Sequence, residues 1–322
     1  MTDSKVFAGI DIGGSSVKFG LFDSTGNILY KERRPTMAEK GAWPLMHMVT
    51  NIAERLMYFA AEEDYDVSHL GVGTPGAVNF STGQVVGTCP NIDGWQGMKI
   101  GEILSEHLNM PVWVDNDVNA MALAELRFGA AHGANSVVCV TVGTGVGGAI
   151  IIDGKLWRGA NHTAGELGHI CIDLDSSIIH SGIHGSIEGF CASKSILGRL
   201  RDAMKSGLTP VFDDVLDGNL EQLTIRKLFM AIKEGDELAI SAIDEVAYYL
   251  GTGLAGVVNL LNPEIVVIGG GIAEGGSRFI KSVTTRIREI AFDKAVEKLF
   301  VVRASLGNDA GFIGAGLLGE VD

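Results

Sequence analysis

The chain has 322 residues, 46% hydrophobic and 20% charged, which is enough apolar material for two α/β cores and too ordinary a charge content for disorder. Its formal net charge of −14 argues against nucleic acid or an anionic membrane as a partner, and an anionic substrate would need local glycines, helix ends or a metal to offset the field. Cys89, Cys139, Cys171 and Cys191 form no CxxC pair, no signal-peptide core opens the chain, and no apolar stretch reaches spanning length without glycine or charge, so a cytoplasmic location is expected.

Lys5 to Ile12 reads as a strand that runs into Gly13-Gly14-Ser15-Ser16, and Val17 to Phe22 as its hairpin partner. Asp23 to Asn27 is a turn, and Ile28 begins a third strand. Pro44 suits the first turn of a helix, and Leu45, Met48, Val49, Ile52, Leu56 and Phe59 then recur at helical spacing. A strand at Leu70 to Val72 leads to Thr74-Pro75-Gly76. Ile100 to Leu108 predicts a helix, Pro111 to Val114 a buried strand, and Ala120 to Phe128 a helix rich in good helix formers.

The opening pattern then returns. Ser136 to Val142 predicts a strand, Gly143 to Gly148 a glycine turn, Ala149 to Ile152 a strand, and Asp153-Gly154 a hairpin turn. Strand, glycine turn, strand and hairpin thus occur twice, which reads as an internal duplication with one copy at the head of each of two domains. Ser186 to Leu261 is mainly helical until Asn262-Pro263. A strand at Ile265 to Ile268 enters Gly269-Gly270-Gly271, followed by a helix at Ser277 to Ala291, a strand at Leu299 to Val302 and a closing helix at Ala310 to Leu318. The boundaries expected are 1–118 plus 310–322 for a smaller domain and 119–309 for a larger one, meeting in a shared cleft.

Five constellations carry chemistry. In Asp11-Ile12-Gly13-Gly14-Ser15-Ser16-Val17-Lys18, an acid at a strand end can hold Mg²⁺, directly or through water, and the glycines admit phosphate oxygens to the backbone N–H groups. A plain hairpin turn would explain the glycines but not the acid or the serine pair. Thr141-Val142-Gly143-Thr144-Gly145-Val146-Gly147-Gly148 satisfies the dinucleotide fingerprint only as a pattern, since a strand rather than a helix follows; a hairpin-borne phosphate clamp fits better than a nicotinamide site. Gly269-Gly270-Gly271 suits contact with a flat nucleotide face, or is merely a helix-entry loop.

Asn116-Asp117 lies where a buried strand meets a helix start. Capping is the bland explanation, but Asn119 can cap, which leaves Asp117 free to act as a base. Glu166 and His169 in Gly165-Glu166-Leu167-Gly168-His169, with Glu188 further on, can hydrogen-bond a polyol, or be a solvated loop acid and a satisfied core histidine.

Together, and in this order, these residues resemble the ROK (repressor, open reading frame, kinase) family of sugar kinases, within the actin/hexokinase/Hsp70 superfamily. The resemblance covers nearly the whole chain. It implies an α/β, two-domain actin-like ATPase (ribonuclease H-like) fold with an interdomain cleft. It also implies an ATP- and Mg²⁺-dependent hexose kinase, glucokinase-like, that phosphorylates the sugar 6-hydroxyl.

By the resemblance, Asp117 is the base, and Gly76, Asn91, Asn116, Asp117, Glu166, His169 and Glu188 hold the sugar. Asp11, Gly13, Gly14, Ser15, Lys18, Thr141, Gly143, Thr144, Gly145, Gly269, Gly270 and Gly271 hold the nucleotide, with Asp11 the Mg²⁺ residue, and a homodimer is implied. N-acetylmannosamine or N-acetylglucosamine kinase remains open, as do mannose or fructose as substrate and a donor such as polyphosphate. A non-catalytic sugar sensor is the alternative of another class; a strand starting near Lys5 leaves no room for a DNA-reading module before it.

One departure stands out. Family members carry Cys-x-Cys-Gly-x-x-Gly-Cys-x-Glu, whose thiolates and a preceding His bind structural zinc. Here Ile179 to Glu188 keeps the glycines and the acid but has Ile179, Ser181 and Ser186 at the thiolate positions, so no structural zinc is expected. His169, His180, His184, Cys171 and Cys191 are the only material for a substitute set.

Overall fold

The computed structural model describes residues 5–207, 216 and 219–320; part of the helical region expected between Ser186 and Leu261 lies outside them. The chain opens with strands β1 (Val6–Ile12), β2 (Ser16–Asp23) and β3 (Ile28–Pro35), followed by helix α1 (Ala42–Glu62) and strand β4 (Val67–Thr74). Two short strands, β5 (Val78–Asn79) and β6 (Gln84–Val85), precede helix α2 (Ile100–Leu108), strand β7 (Val112–Asn116) and helix α3 (Asp117–Phe128).

The repeat begins with β8 (Val137–Val142), β9 (Val146–Ile152) and β10 (Lys155–Leu156), and a small hairpin follows in β11 (Ile179–His180) and β12 (Ile183–His184). Helices α4 (Ile187–Cys191), α5 (Ser193–Lys205), α6 (Ile225–Lys233) and α7 (Glu237–Leu261) lead to β13 (Ile265–Gly269). Then come α8 (Gly276–Ile290), α9 (Asp293–Val296), β14 (Phe300–Arg303) and α10 (Ala310–Gly316).

The duplication read from the glycine turns is present in the sheets. One has the order β3-β2-β1-β4-β7 and the other β10-β9-β8-β13-β14; in each an antiparallel pair lies on one side and two strands add in parallel on the other. The central strands β1, β8 and β13 are buried almost throughout because both faces are covered. β3 shows the opposite pattern. It is an edge strand whose Lys31, Glu32, Arg33 and Arg34 discourage pairing with another chain.

Helix ends follow their caps. Asp236 accepts a hydrogen bond from the Ala239 amide at 2.8 Å to start α7, and Asn262 ends it in the left-handed conformation (φ 46°) just before Pro263.

The chain divides into two compact units. The first is Met1–Asn135, Ala149–Gly165 and Ala304–Asp322; the second is Ser136–Gly148 and Glu166–Arg303. This differs from the boundary expected at 118/119, for a physical reason. Helix α3 does not leave the first unit, because α10 returns from the chain end and packs on it. Gly314 lies so close to the Ala120 carbonyl that no side chain fits between them, and Gly9 on β1 likewise faces the Phe312 carbonyl of α10. Removing Cβ lets the backbones approach.

On the first unit's sheet α1 contributes Leu45, Val49, Ile52 and Leu56 to a core with Ile10, Phe19, Leu21 and Val72. The second unit has its own core, built from α7 and α8 against Val138, Val140, Val266 and Ile268.

Candidate active site

In the first unit, Asp11 is the penultimate residue of β1, paired in register with Lys18 on β2 and Gly73 on β4. The residue is 8% exposed, and burial pushes its pKa up to about 6, opposed by the Lys18 ammonium 3.8 Å away. Gly311 of α10 is pressed against this carboxyl with no room for a side chain. The turn that follows is held by the Gly13 amide, which donates to the Ser16 carbonyl at 3.0 Å, and by buried Thr36, whose hydroxyl donates to the Gly13 carbonyl at 2.6 Å. Gly14 and Ser15 are exposed, and a Cβ at Gly14 would meet nothing within 4 Å, so the turn's outer face is free for a ligand. Lys18 also lies 3.5 Å from Asn308, a neighbour that sequence spacing gave no reason to expect.

Asp117 is the first residue of α3. The cap is Asn116, whose side-chain oxygen accepts from the Val118 amide at 2.8 Å and the Asn119 amide at 3.3 Å. That corrects the expectation that Asn119 caps. Asn119 lies a turn too far along; it is buried and donates to Asp115 at 2.9 Å. Asp117 is spared from capping as expected, but by a different residue.

The other end of the Asn116 amide donates to the Gly76 carbonyl at 3.2 Å, and Gly76 needs its glycine because φ is +88°. The Asp117 pKa is raised to about 7, first by burial and then by the Asp11 charge, against hydrogen bonds that favour the ionised form. A Cβ on Gly73 would touch the Asp117 backbone at 3.5 Å and an Asp11 oxygen at 3.8 Å, so the two acids flank one point on the sheet.

Asn91 is exposed on the loop after Cys89. Trp95 on the same loop is fully buried, its indole N–H donating to Thr74 at 2.8 Å; it anchors the loop from below and does not face a ligand.

In the second unit, β8 and β13 run parallel with Thr141 opposite Gly269, so the two glycine turns sit side by side. Gly270 (φ +85°) is packed on the Val142 backbone, while Gly143 and Gly271 have open space where a Cβ would stand; Thr144 is exposed. Glu188 is brought to the same place. One oxygen accepts from the Val146 amide at 2.6 Å, the other is 2.9 Å from His180, and Gly145 lies against the carboxylate. Gly168 packs on the Val146 carbonyl, so the turn bearing Glu166 and His169 meets Glu188 at one peptide. Glu166 and His169 are themselves well exposed and 3.4 Å apart.

The residues at the resemblance's thiolate positions do not fit a zinc ion. Ser186 is spent on capping α4, and Ile179 and His180 pair with His184 and Ile183 in the β11–β12 hairpin. The substitute set is dispersed: Cys171 donates to the His184 carbonyl, His184 donates to the Ser176 carbonyl, and Cys191 is buried in the core. Among the described residues no three His, Cys, Asp or Glu side chains converge on a metal position. Mg²⁺ makes a lesser demand, one or two carboxylates with the remainder from substrate and water. Asp11 fits that role as a buried carboxylate, with the Lys18 ammonium 3.8 Å away.

The glycine turns, the carboxylate at the start of α3 and the Glu166, His169 and Glu188 side chains are each present in the structure. The sequence matches the ROK family over residues 7–320. The chain belongs to the ROK family. A glucokinase from Halalkalibacterium halodurans is 32% identical to this ROK chain over 316 residues, which is 97% of this chain and 94% of the relative. A xylose repressor from Caldicellulosiruptor bescii is 30% identical over 284 residues, 88% of this chain and 70% of the repressor.

Among solved structures, a ROK family glucokinase from Streptomyces griseus in complex with glucose and AMPPNP superposes with a TM-score of 0.84 at 29% identity, covering 98% of both chains. The ROK chain has the actin-like ATPase fold that these neighbours share. Among the described residues no helix is long and apolar enough to cross a membrane.

Proposed function

We propose that this ROK chain is a sugar kinase that transfers the terminal phosphoryl group of ATP to the 6-hydroxyl of a hexose, with glucose the first candidate. The observation that carries the reading is Asp117: an acid at a helix start, relieved of capping by Asn116 and flanked by Asp11, with a pKa near the working pH of a general base. Relatives named as glucokinases span nearly the whole chain.

Asp117 accepts the proton of the attacking hydroxyl as its oxygen bonds to phosphorus and the bond to the departing ADP breaks. Asn116, through its remaining amide N–H, together with Gly76, Asn91, Glu166, His169 and Glu188, is assigned to the ring hydroxyls. The turns at Gly13-Gly14-Ser15 and Thr141 to Gly145 are assigned to phosphates, and Gly269 to Gly271 to adenosine. Lys18 supplies a charge beside the phosphates. Asp11 would hold Mg²⁺, directly or through water, and the ion supplies neutralisation of phosphate charge. Phosphoryl transfer asks for positioning and charge compensation more than covalent help, which is what these groups provide.

The test is an ADP-release assay over glucose, mannose, fructose, N-acetylglucosamine and N-acetylmannosamine, run beside Asp117→Ala. Turnover with one sugar, reduced about 10²- to 10⁴-fold in the variant, is expected. Sugar binding with no ADP release would establish the sensor class that the repressor relative represents.

A further inference from the structure

Asp115 has a node of its own, two residues before the proposed base. It is 1% exposed, and one of its oxygens accepts from the Asn116 amide at 2.7 Å and from the Asn119 side chain at 2.9 Å. The other accepts from the Arg158 Nε at 2.7 Å, and the two side chains are 2% and 17% exposed. Arg158 is the residue just before Gly159, where the segment resembling the sugar signature begins, and it lies in the same compact unit as Asp115.

The guanidinium stands 3.8 Å from the centroid of the Phe80 ring, and Phe80 stacks on Trp113 of β7 at 5.3 Å. Arg158 therefore grips β7 twice, through the carboxylate of Asp115 and through the Phe80 ring stacked on Trp113.

Stability alone is a poor explanation for this arrangement. A buried ion pair commonly does no better than a well-packed apolar substitute, because desolvation offsets the attraction. This one also leaves the Arg158 Nη2 buried without a partner. What the pair does supply is direction. Asp115 with both oxygens engaged has one rotamer, its hydrogen bond fixes the Asn116 peptide, and Asn116 caps the helix on which Asp117 is the first residue.

We propose that Arg158 is a positioning residue for Asp117: through Asp115 it sets the β7–α3 turn and ties the segment 159–165 to the base, an inference that rests on the kinase reading above. The planar fork and the ring stacking are both needed, so lysine is not an equivalent.

The experiment compares Arg158→Lys and Arg158→Met with the unaltered protein in steady-state kinetics, urea unfolding and amide exchange. A displacement of the base of about 1 Å costs up to about 10²-fold in rate, so Arg158→Lys is expected to lose about 10- to 100-fold in kcat. The KM for ATP and the unfolding midpoint should change little. Faster exchange confined to the Val118 and Asn119 amides is expected in Arg158→Met.

A kcat for Arg158→Lys within about threefold of the unaltered protein overturns the proposal, as does a loss accounted for by the unfolded fraction; a larger loss that the unfolded fraction does not explain supports it. If the unaltered protein phosphorylates no sugar, the kinase reading fails instead. The exchange rates then decide this proposal, and unchanged exchange at Val118 and Asn119 overturns it.

Discussion

Replacing Asp117 by Asn tests the reading from two directions at once, because the same feature that makes the residue a base makes it a burden on the fold. Its pKa stands at about 7 in the folded chain against an ordinary 3.8, owing to burial and the Asp11 charge. Below the unfolded value both states hold the proton and nothing is lost. As pH rises from about 4 to about 7 the unfolded chain releases the proton while the folded chain keeps it, so stability falls; above about 7 the penalty is complete.

A shift from 3.8 to about 7 at 1.36 kcal/mol per unit sets a ceiling of about 4 kcal/mol. Asp117 is only partly buried by its accessible surface, and solvent that reaches it brings the expected gain to about half of that. Asn keeps the acceptor that the Val118 amide uses.

Asp117→Asn should therefore raise the urea midpoint at about pH 8, leave it nearly unchanged at about pH 4, and lower kcat about 10²- to 10⁴-fold. The unaltered enzyme should follow the same group. With a pKa of about 7 its kcat/KM for sugar at about pH 6 is about a tenth of the alkaline plateau, since only that fraction is ionised. A variant that is less stable at pH 8, or a kcat/KM that is flat between pH 5.5 and 8, would refute the assignment of a buried, protonatable base.

Glu125 lies fully buried and accepts from Ala130 at 2.7 Å, from the Ser305 amide and hydroxyl at 3.1 Å each, and from Leu306 at 2.9 Å. Glu125→Gln puts a donor where these donors converge and should cost about 2–3 kcal/mol in urea unfolding; a change below about 0.5 kcal/mol would remove Glu125 as the tie between α3 and the 304–309 segment. Dialysis against EDTA and 1,10-phenanthroline should leave the melting temperature and the sugar KM, measured after Mg²⁺ is restored, unaltered, because hydrogen bonds and the His180–Glu188 pair hold the Ile179 to Glu188 segment. A fall in melting temperature that zinc reverses would show a metal that the donor set does not suggest.

Much of the fold was legible because its signals are local. Glycine turns between apolar runs marked both hairpins, and Asn262-Pro263 marked the end of α7 where it falls. Asp117 was legible as an acid at a strand-to-helix junction. The cap was misplaced by three residues, since Asn116 and Asn119 are equally good caps and only the backbone decides which one leaves the helix. Arg158 and Asp115 gave no signal at all: they are 43 positions apart, and no periodicity links a residue to a partner on another element. The contact between α3 and α10 gave no signal for the same reason, since the two helices are far apart in sequence.

That last helix has a consequence for folding. Because α10 lies on β1 through Gly9 and on α3 through Gly314, the opening sheet is covered only once residues 310–316 have folded back onto it. A chain folded without that helix would leave the apolar face of β1 and α3 uncovered, the kind of surface that makes partly folded species prone to aggregate. Loss of residues 310–316 would thus damage strands that lie about 300 positions earlier in the sequence.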